Sequence, residues 1–183
     1  MKNNGMRNKW MKRLFPLFAL LILAPWPVAY AHTYTDDTAG QETIRVEAAD
    51  PSVAPDFGAV HGKTIGGVTT PGDVFYIDAK ENPADIQSAL YITNAQELSR
   101  CYRYMILKVG IYVENGAGEW EEATLVNGKP IPDTFITMRD GQVRFTLPGL
   151  AEYKVTIDSG SYYCRSAVVD GGSVSPQLLL SVD

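Results

Sequence analysis

The clearest hydrophobic pattern in the chain is CYRYMILKVGIYVEN, Cys101 to Asn115. Its odd positions (Cys101, Arg103, Met105, Leu107, Val109, Ile111, Val113) form one row, and its even positions (Tyr102, Tyr104, Ile106, Lys108, Gly110, Tyr112, Glu114) form the other. A period of two means a strand. The odd row reads as the core face and carries Cys101 inward. Gly110 marks a bend or bulge in so long a strand. Tyr102, Tyr104, Ile106 and Tyr112 on the second face are too apolar for a solvent face, so a loop, the N-terminal region or a partner covers them.

The same period recurs on both sides. VFYID (Val74–Asp78) and ALYIT (Ala89–Thr93) are short β-branched and aromatic runs. ENPADI and NAQELS each have room for one helical turn. Asp140-Gly141 between alternating runs is a hairpin signal, with Val143, Phe145 and Leu147 on one face. Pro148-Gly149 turns the chain toward Tyr153, Val155 and Ile157, which share the next inward face. Ser159-Gly160 reads as a further turn into a strand with Cys164, and QLLLSVD closes the chain as a strand. Eight or nine strands without a long helix imply an all-β protein, an antiparallel β-sandwich of immunoglobulin-like or jelly-roll architecture.

The first 31 residues read differently. Lys2, Arg7, Lys9, Lys12 and Arg13 precede an apolar stretch, Leu14–Ala24, and Ala29-Tyr30-Ala31 is a small-x-small cleavage site. This is the three-part layout of a secretory signal peptide, too short and too proline-rich for a membrane span. An exported protein, secreted or at the cell surface and with no integral membrane anchor, is the expectation. Cleavage leaves 152 residues with 11 Lys+Arg against 21 Asp+Glu, a net charge of −10. Such a surface excludes nucleic-acid binding through a basic face. Export and an even count predict that Cys101 and Cys164 pair as a disulfide pinning the two sheets, worth about 4 kcal/mol for so long a loop.

Residues 32–73 are rich in Thr, Asp, Gly and Pro and read as an extended arm with loops, ahead of a sandwich domain over 74–183. Within the arm, TIRVEA alternates Ile44, Val46 and Ala48 against Arg45 and Glu47. It is a candidate donor strand, tethered by a link long enough to reach a neighbouring molecule.

Candidate chemistry is sparse. No hydrolase, zinc-protease or phosphate-loop motif occurs, so no enzyme is expected. Cleavage after Ala31 exposes His32 as an N-terminal histidine, which together with His61 has the donors for copper. Acidic groups at Asp36, Asp37, Asp78, Glu81 and Asp85 are candidate calcium ligands. Solvated surface charge and an ordinary polar terminus are the alternatives to these two sites.

Three resemblances bear on this reading. Asp158, Gly160, Tyr162 and Cys164 resemble the segment entering the second cysteine strand of immunoglobulin domains. FTLPGLAEYKVTI, Phe145 to Ile157, looks like secreted transthyretin-like sandwiches. Export, a polar arm with one strand-like segment and a sandwich resemble in layout the secreted filament and matrix subunits of the TasA/camelysin and cannula types. That last resemblance implies self-association by donation of an N-terminal strand. A monomeric glycan- or protein-binding module and a copper protein are the alternatives.

Overall fold

The structure, a computed structural model, describes residues 29–33 (backbone only), 44–57, 65–124, 134–165 and 174–182. Eleven strands are found among these residues: β1 (Ala29–Thr33), β2 (Arg45–Ala48), β3 (Ile65–Gly67), β4 (Gly72–Asp78), β5 (Ile86–Ile92), β6 (Tyr102–Glu114), β7 (Trp120–Glu122), β8 (Thr134–Thr137), β9 (Gln142–Leu147), β10 (Glu152–Cys164) and β11 (Leu178–Val182). One seven-residue helix, α1 (Ala95–Cys101), leads into β6.

The strands form two sheets. The smaller has the order β1-β11-β5-β9, and the larger runs β2-β4-β10-β6-β7, with β3 also on β10 and β8 also on β6. Pairing is antiparallel except between β1 and β11. The all-β expectation holds. Alternation explains the core: Ile86, Leu90 and Ile92 of β5 and Leu178, Leu180 and Val182 of β11 are buried with Met105, Leu107, Val109 and Ile111 of β6. Tyr153, Val155 and Ile157 of β10 join them, as do Phe145 and Leu147 of β9.

Several turns differ from their sequence reading. Asp140-Gly141 does not close a hairpin, because β8 pairs with β6 in one sheet and β9 with β5 in the other. The turn is a corner between sheets, held by Thr137 Oγ1 donating to Asp140 Oδ2 (2.7 Å) and by Gly141 N–H donating to the Thr137 carbonyl (2.8 Å). Asp158-Ser159-Gly160 is not a turn either. β10 runs unbroken through it, with a register shift against β6 between Ile157 and Ser159. An Asp and a Gly in a long strand mark a bulge here: Ile157 lies opposite Val109 and Ser159 opposite Lys108, so the extra residue is Asp158 of β10 rather than Gly110 of β6.

The expected inter-sheet disulfide is not present: both thiols are free. Cys101 ends α1 instead of entering the strand, so Tyr102 takes the inward position and is buried, while Arg103 and Tyr104 are exposed. Cys164 stands opposite Tyr102 on the adjacent strand of the same sheet, beyond a second register shift. The Arg165 N–H donates to the Cys101 carbonyl at 2.7 Å. The two cysteines therefore do not face one another across the sandwich. Burial is the main reason the Cys101 thiol is held above its ordinary pKa; Cys164 and Glu97 add to this and Arg100 offsets part of it.

The segment read as an arm contributes strands to the larger sheet. Val46 of β2 lies opposite Ile77 of β4, and Tyr162 and Tyr163 of β10 lie opposite Gly66 and Ile65 of β3. The link after β2 is packed down as well. Phe57 is buried, Asp56 bridges Thr70, and a Cβ on Gly72 would lie 2.3–2.5 Å from the backbone of Val53 to Pro55. Only glycine fits there, so the described start of the link, residues 51–57, is a docked strap.

Candidate functional site

The outer face of the larger sheet is the most distinctive surface. Strand register places Glu47, Tyr76, Lys154, Tyr112 and Glu122 side by side across five strands. Each comes from a different strand, and all occupy outward positions because their neighbours fill the core.

Lys154 is the hub of this rung. Its Nζ lies 5.2 Å from the Trp120 ring centroid, 5.5 Å from that of Tyr112 and 3.4 Å from Asp73 Oδ1. These are cation–π distances, with a carboxylate to neutralise the ammonium. Tyr76 packs against Trp120 at 6.1 Å between centroids and donates its hydroxyl to Asp73 Oδ2 at 2.6 Å. Burial first, and then that bond to a carboxylate, push the Tyr76 phenol up to about 12. Beside the rung, Lys80 bridges Glu114 and Glu152.

Asp158, at the bulge, accepts from Thr156 Oγ1 (2.5 Å) and from the Tyr112 hydroxyl (3.3 Å). It sits over Gly110, where a Cβ would come within 2.4–2.5 Å of Thr156 Oγ1 and both Asp158 oxygens. Gly110 thus makes room for a carboxylate on the partner strand. Burial, then the Asp158 charge, raise the Tyr112 pKa.

Toward the Cys164 end the same face becomes apolar. Ile65 is 69% exposed, Phe135 48%, Ile106 41% and Tyr104 39%. Register brings them together: Ile65 and Tyr104 flank Tyr163 on either side, and Ile106 and Lys108 lie opposite Thr137 and Phe135. Tyr104 stacks on Tyr163 with centroids 6.2 Å apart, and Arg103 caps the Tyr163 ring at 5.7 Å. The outer face of the smaller sheet is polar by contrast, with Gln87, Tyr91, Arg144 and Ser181 around a shallow depression.

Of the four residues expected to form a contact surface, Tyr104, Ile106 and Tyr112 lie on this outer face. Tyr102 does not. It is buried and meets Tyr162 edge-on at 5.4 Å, because the register shift at Cys164 turns the first residue of β6 inward. Ile65, Phe135, Tyr76, Trp120 and Lys154 were not singled out from sequence. Tyr76 and Phe135 are the outward members of VFYID and FITM, so alternation could have flagged them. Ile65 and Trp120 lie in strands of three residues, too short to show a period.

The donor-strand candidates divide. Ile44 and Val46 are half-buried against the core, Ala48 is exposed, and β2 pairs with β4 of its own chain. Among the calcium candidates, Asp78, Glu81 and Asp85 are all exposed, and the Asp78 carboxylate accepts the Lys80 N–H at 3.2 Å. Asp36 and Asp37 lie outside the described residues. Among the described residues no three His, Cys, Asp or Glu side chains gather into a metal-holding group. His61 also lies outside them, and of His32 only the backbone, in β1 opposite Ser181, is described. β1 spans the expected cleavage point after Ala31. Among the described residues no helix is long and apolar enough to cross a membrane.

Tyr162 and Tyr153 have distinct roles. Tyr162, the tyrosine of the immunoglobulin-like segment, donates its hydroxyl to the Gly67 carbonyl at 2.9 Å, tying β10 to β3. Tyr153 donates to the Pro148 carbonyl five residues upstream at 2.7 Å. The local corner bond at a sheet crossing therefore belongs to Tyr153.

No protein-family model matches the chain, and no curated protein is similar to it in sequence.

Proposed function

We propose that this chain is an exported, non-catalytic structural protein that associates with copies of itself outside the cell. The observation that carries this reading is the exposed apolar row Ile65, Tyr104, Ile106 and Phe135 on an otherwise satisfied sheet face. Contiguous apolar surface of this kind marks an interaction site. The layout resemblance to secreted filament subunits points the same way. The corner bond of Tyr153 supports an immunoglobulin-like sandwich as the finer description of the fold.

Strand exchange is the mode of assembly this reading favours. β2 holds the β4 edge with only four residues. If it hinges at Ala49–Pro51, ahead of the docked strap, the same hydrogen bonds form with a neighbour's β4. Strand addition satisfies the unpaired groups of an edge, and a head-to-tail arrangement that does not close gives a fibre. The test is sedimentation velocity and negative-stain microscopy of the protein beginning at His32, with and without residues 32–49. The intact protein is expected to form multimers, and the truncated one to stay folded with fewer subunits. A monomer at high concentration, together with unfolding on truncation, would sink the proposal.

A second reading is favoured by the Tyr76, Trp120 and Tyr112 cluster among carboxylates, which suits a sugar ring or a peptide. A monomeric binding module would quench Trp fluorescence on titration with a soluble polysaccharide panel and would sediment as one subunit.

A further inference from the structure

The outer face of the larger sheet is polarised along its strands. β6 and β10 run antiparallel for 13 residues each, so the two ends of the face collect opposite charges. Among the described residues, one end holds Glu47, Asp73, Asp78, Glu114, Glu122 and Glu152, with Arg45, Lys80 and Lys154 as cations and Glu119 in the turn beside it. Among the described residues, the other holds Lys108, opposite Phe135, and Arg103, over the Tyr163 ring, with the exposed Arg165 just past the end of β10. The acidic end carries the aromatic cluster around Lys154. The basic end carries the exposed row Ile65, Tyr104, Ile106 and Phe135.

We infer that two copies of this chain pack face to face through these sheets, related by a two-fold axis, with the basic apolar end of each on the acidic aromatic end of the other. An antiparallel arrangement pairs unlike charges at both ends at once, and a parallel one would place like charges together. The contact is isologous, so every complementary pair occurs twice. The size fits as well. The strands of the larger sheet hold 47 residues, and at about 3.3 Å per residue and about 4.8 Å between strands they give a face of roughly 740 Å². That is about what one partner contributes to a stable interface. This inference rests on the self-association proposed above and names the surface and the partner. It uses the sheet face, whereas strand exchange uses the β4 edge.

The test uses two double variants of the protein beginning at His32. Arg103→Glu/Lys108→Glu makes both ends acidic, and Glu119→Arg/Glu122→Arg makes both ends basic. Arg103, Glu119 and Glu122 are exposed and Lys108 is half-buried, and circular dichroism checks that each variant folds. Sedimentation velocity at low and high salt (~0.02 and ~0.5 M) reads the assembly, because screening weakens such a contact. The parent protein is expected to lose the face contact at high salt. Each double variant alone should dimerise about tenfold or more weakly at low salt, and an equimolar mixture should restore the dimer. Double variants that associate like the parent would overturn the face contact and leave self-association standing. Double variants that dissociate but do not recover on mixing would also overturn it. A parent that is monomeric at high concentration in low salt would overturn both proposals.

Discussion

Tyr153→Phe isolates one hydrogen bond and tests which tyrosine fastens the crossing from the smaller sheet to the larger. Tyr153 is 2% exposed, and its hydroxyl donates to the Pro148 carbonyl at 2.7 Å. The variant keeps the ring and its packing and deletes only the donor. Leaving a buried acceptor unsatisfied costs about 1–3 kcal/mol. Pro148 is half-buried, so water replaces part of the bond, and the loss should fall near the lower half, about 1–2 kcal/mol. For a domain of this size that is roughly 3–6 °C in Tm. Urea unfolding of the protein beginning at His32 is the assay, with the midpoint shifted and the slope unchanged. Tyr162→Phe is the comparison. It removes the bond to Gly67, 95 residues away in sequence, so it should also speed hydrogen exchange in β3, which Tyr153→Phe should not. A Tyr153→Phe midpoint indistinguishable from the parent would refute the claim that this bond secures the corner.

Gly110→Ala should destabilise by about 1–3 kcal/mol, because its Cβ meets Thr156 Oγ1 and the Asp158 carboxylate and forces the bulge network apart; urea unfolding checks it, and a neutral result would mean that Asp158 moves aside freely. Tyr76 and Tyr102 are both pushed up to about 12, mainly by burial, and Tyr162, Tyr112 and Tyr153 are raised as well, so the tyrosinate absorbance of the native protein should still be rising well above pH 10. The sign for stability follows: the unfolded chain deprotonates near pH 10 and the native one nearer 12, so their contribution is full below about pH 10 and is lost as pH rises toward 12. A single-stage titration at the ordinary value would contradict the burial assigned to these rings.

Alternation along β6, β9 and β10 determined the all-β class and most of the core, because a period of two is a local property that any half-buried strand shows. It also placed Tyr104, Ile106 and Tyr112 on a surface that needed explaining. It missed whatever depends on a partner strand. Asp158-Ser159-Gly160 has turn chemistry, but pairing with β6 makes Asp158 the extra residue of a bulge within one strand, its carboxylate lying over Gly110. Asp140-Gly141 looks like a hairpin, yet the strands it joins belong to different sheets. Cys101 and Cys164 look like an inter-sheet pair, yet α1 takes up Cys101 and Cys164 lands on the adjacent strand of the same sheet. The rung from Glu47 to Glu122, with Lys154 at its centre, comes from five strands spread over 108 sequence positions. Composition gave the acidic total. The separation of that charge into two opposite ends of one face exists only because β6 and β10 pair antiparallel, which brings Glu114 and Glu152 together on Lys80 and Arg103 over Tyr163. Residue order fixes which side chains alternate; sheet register decides which of them stand together.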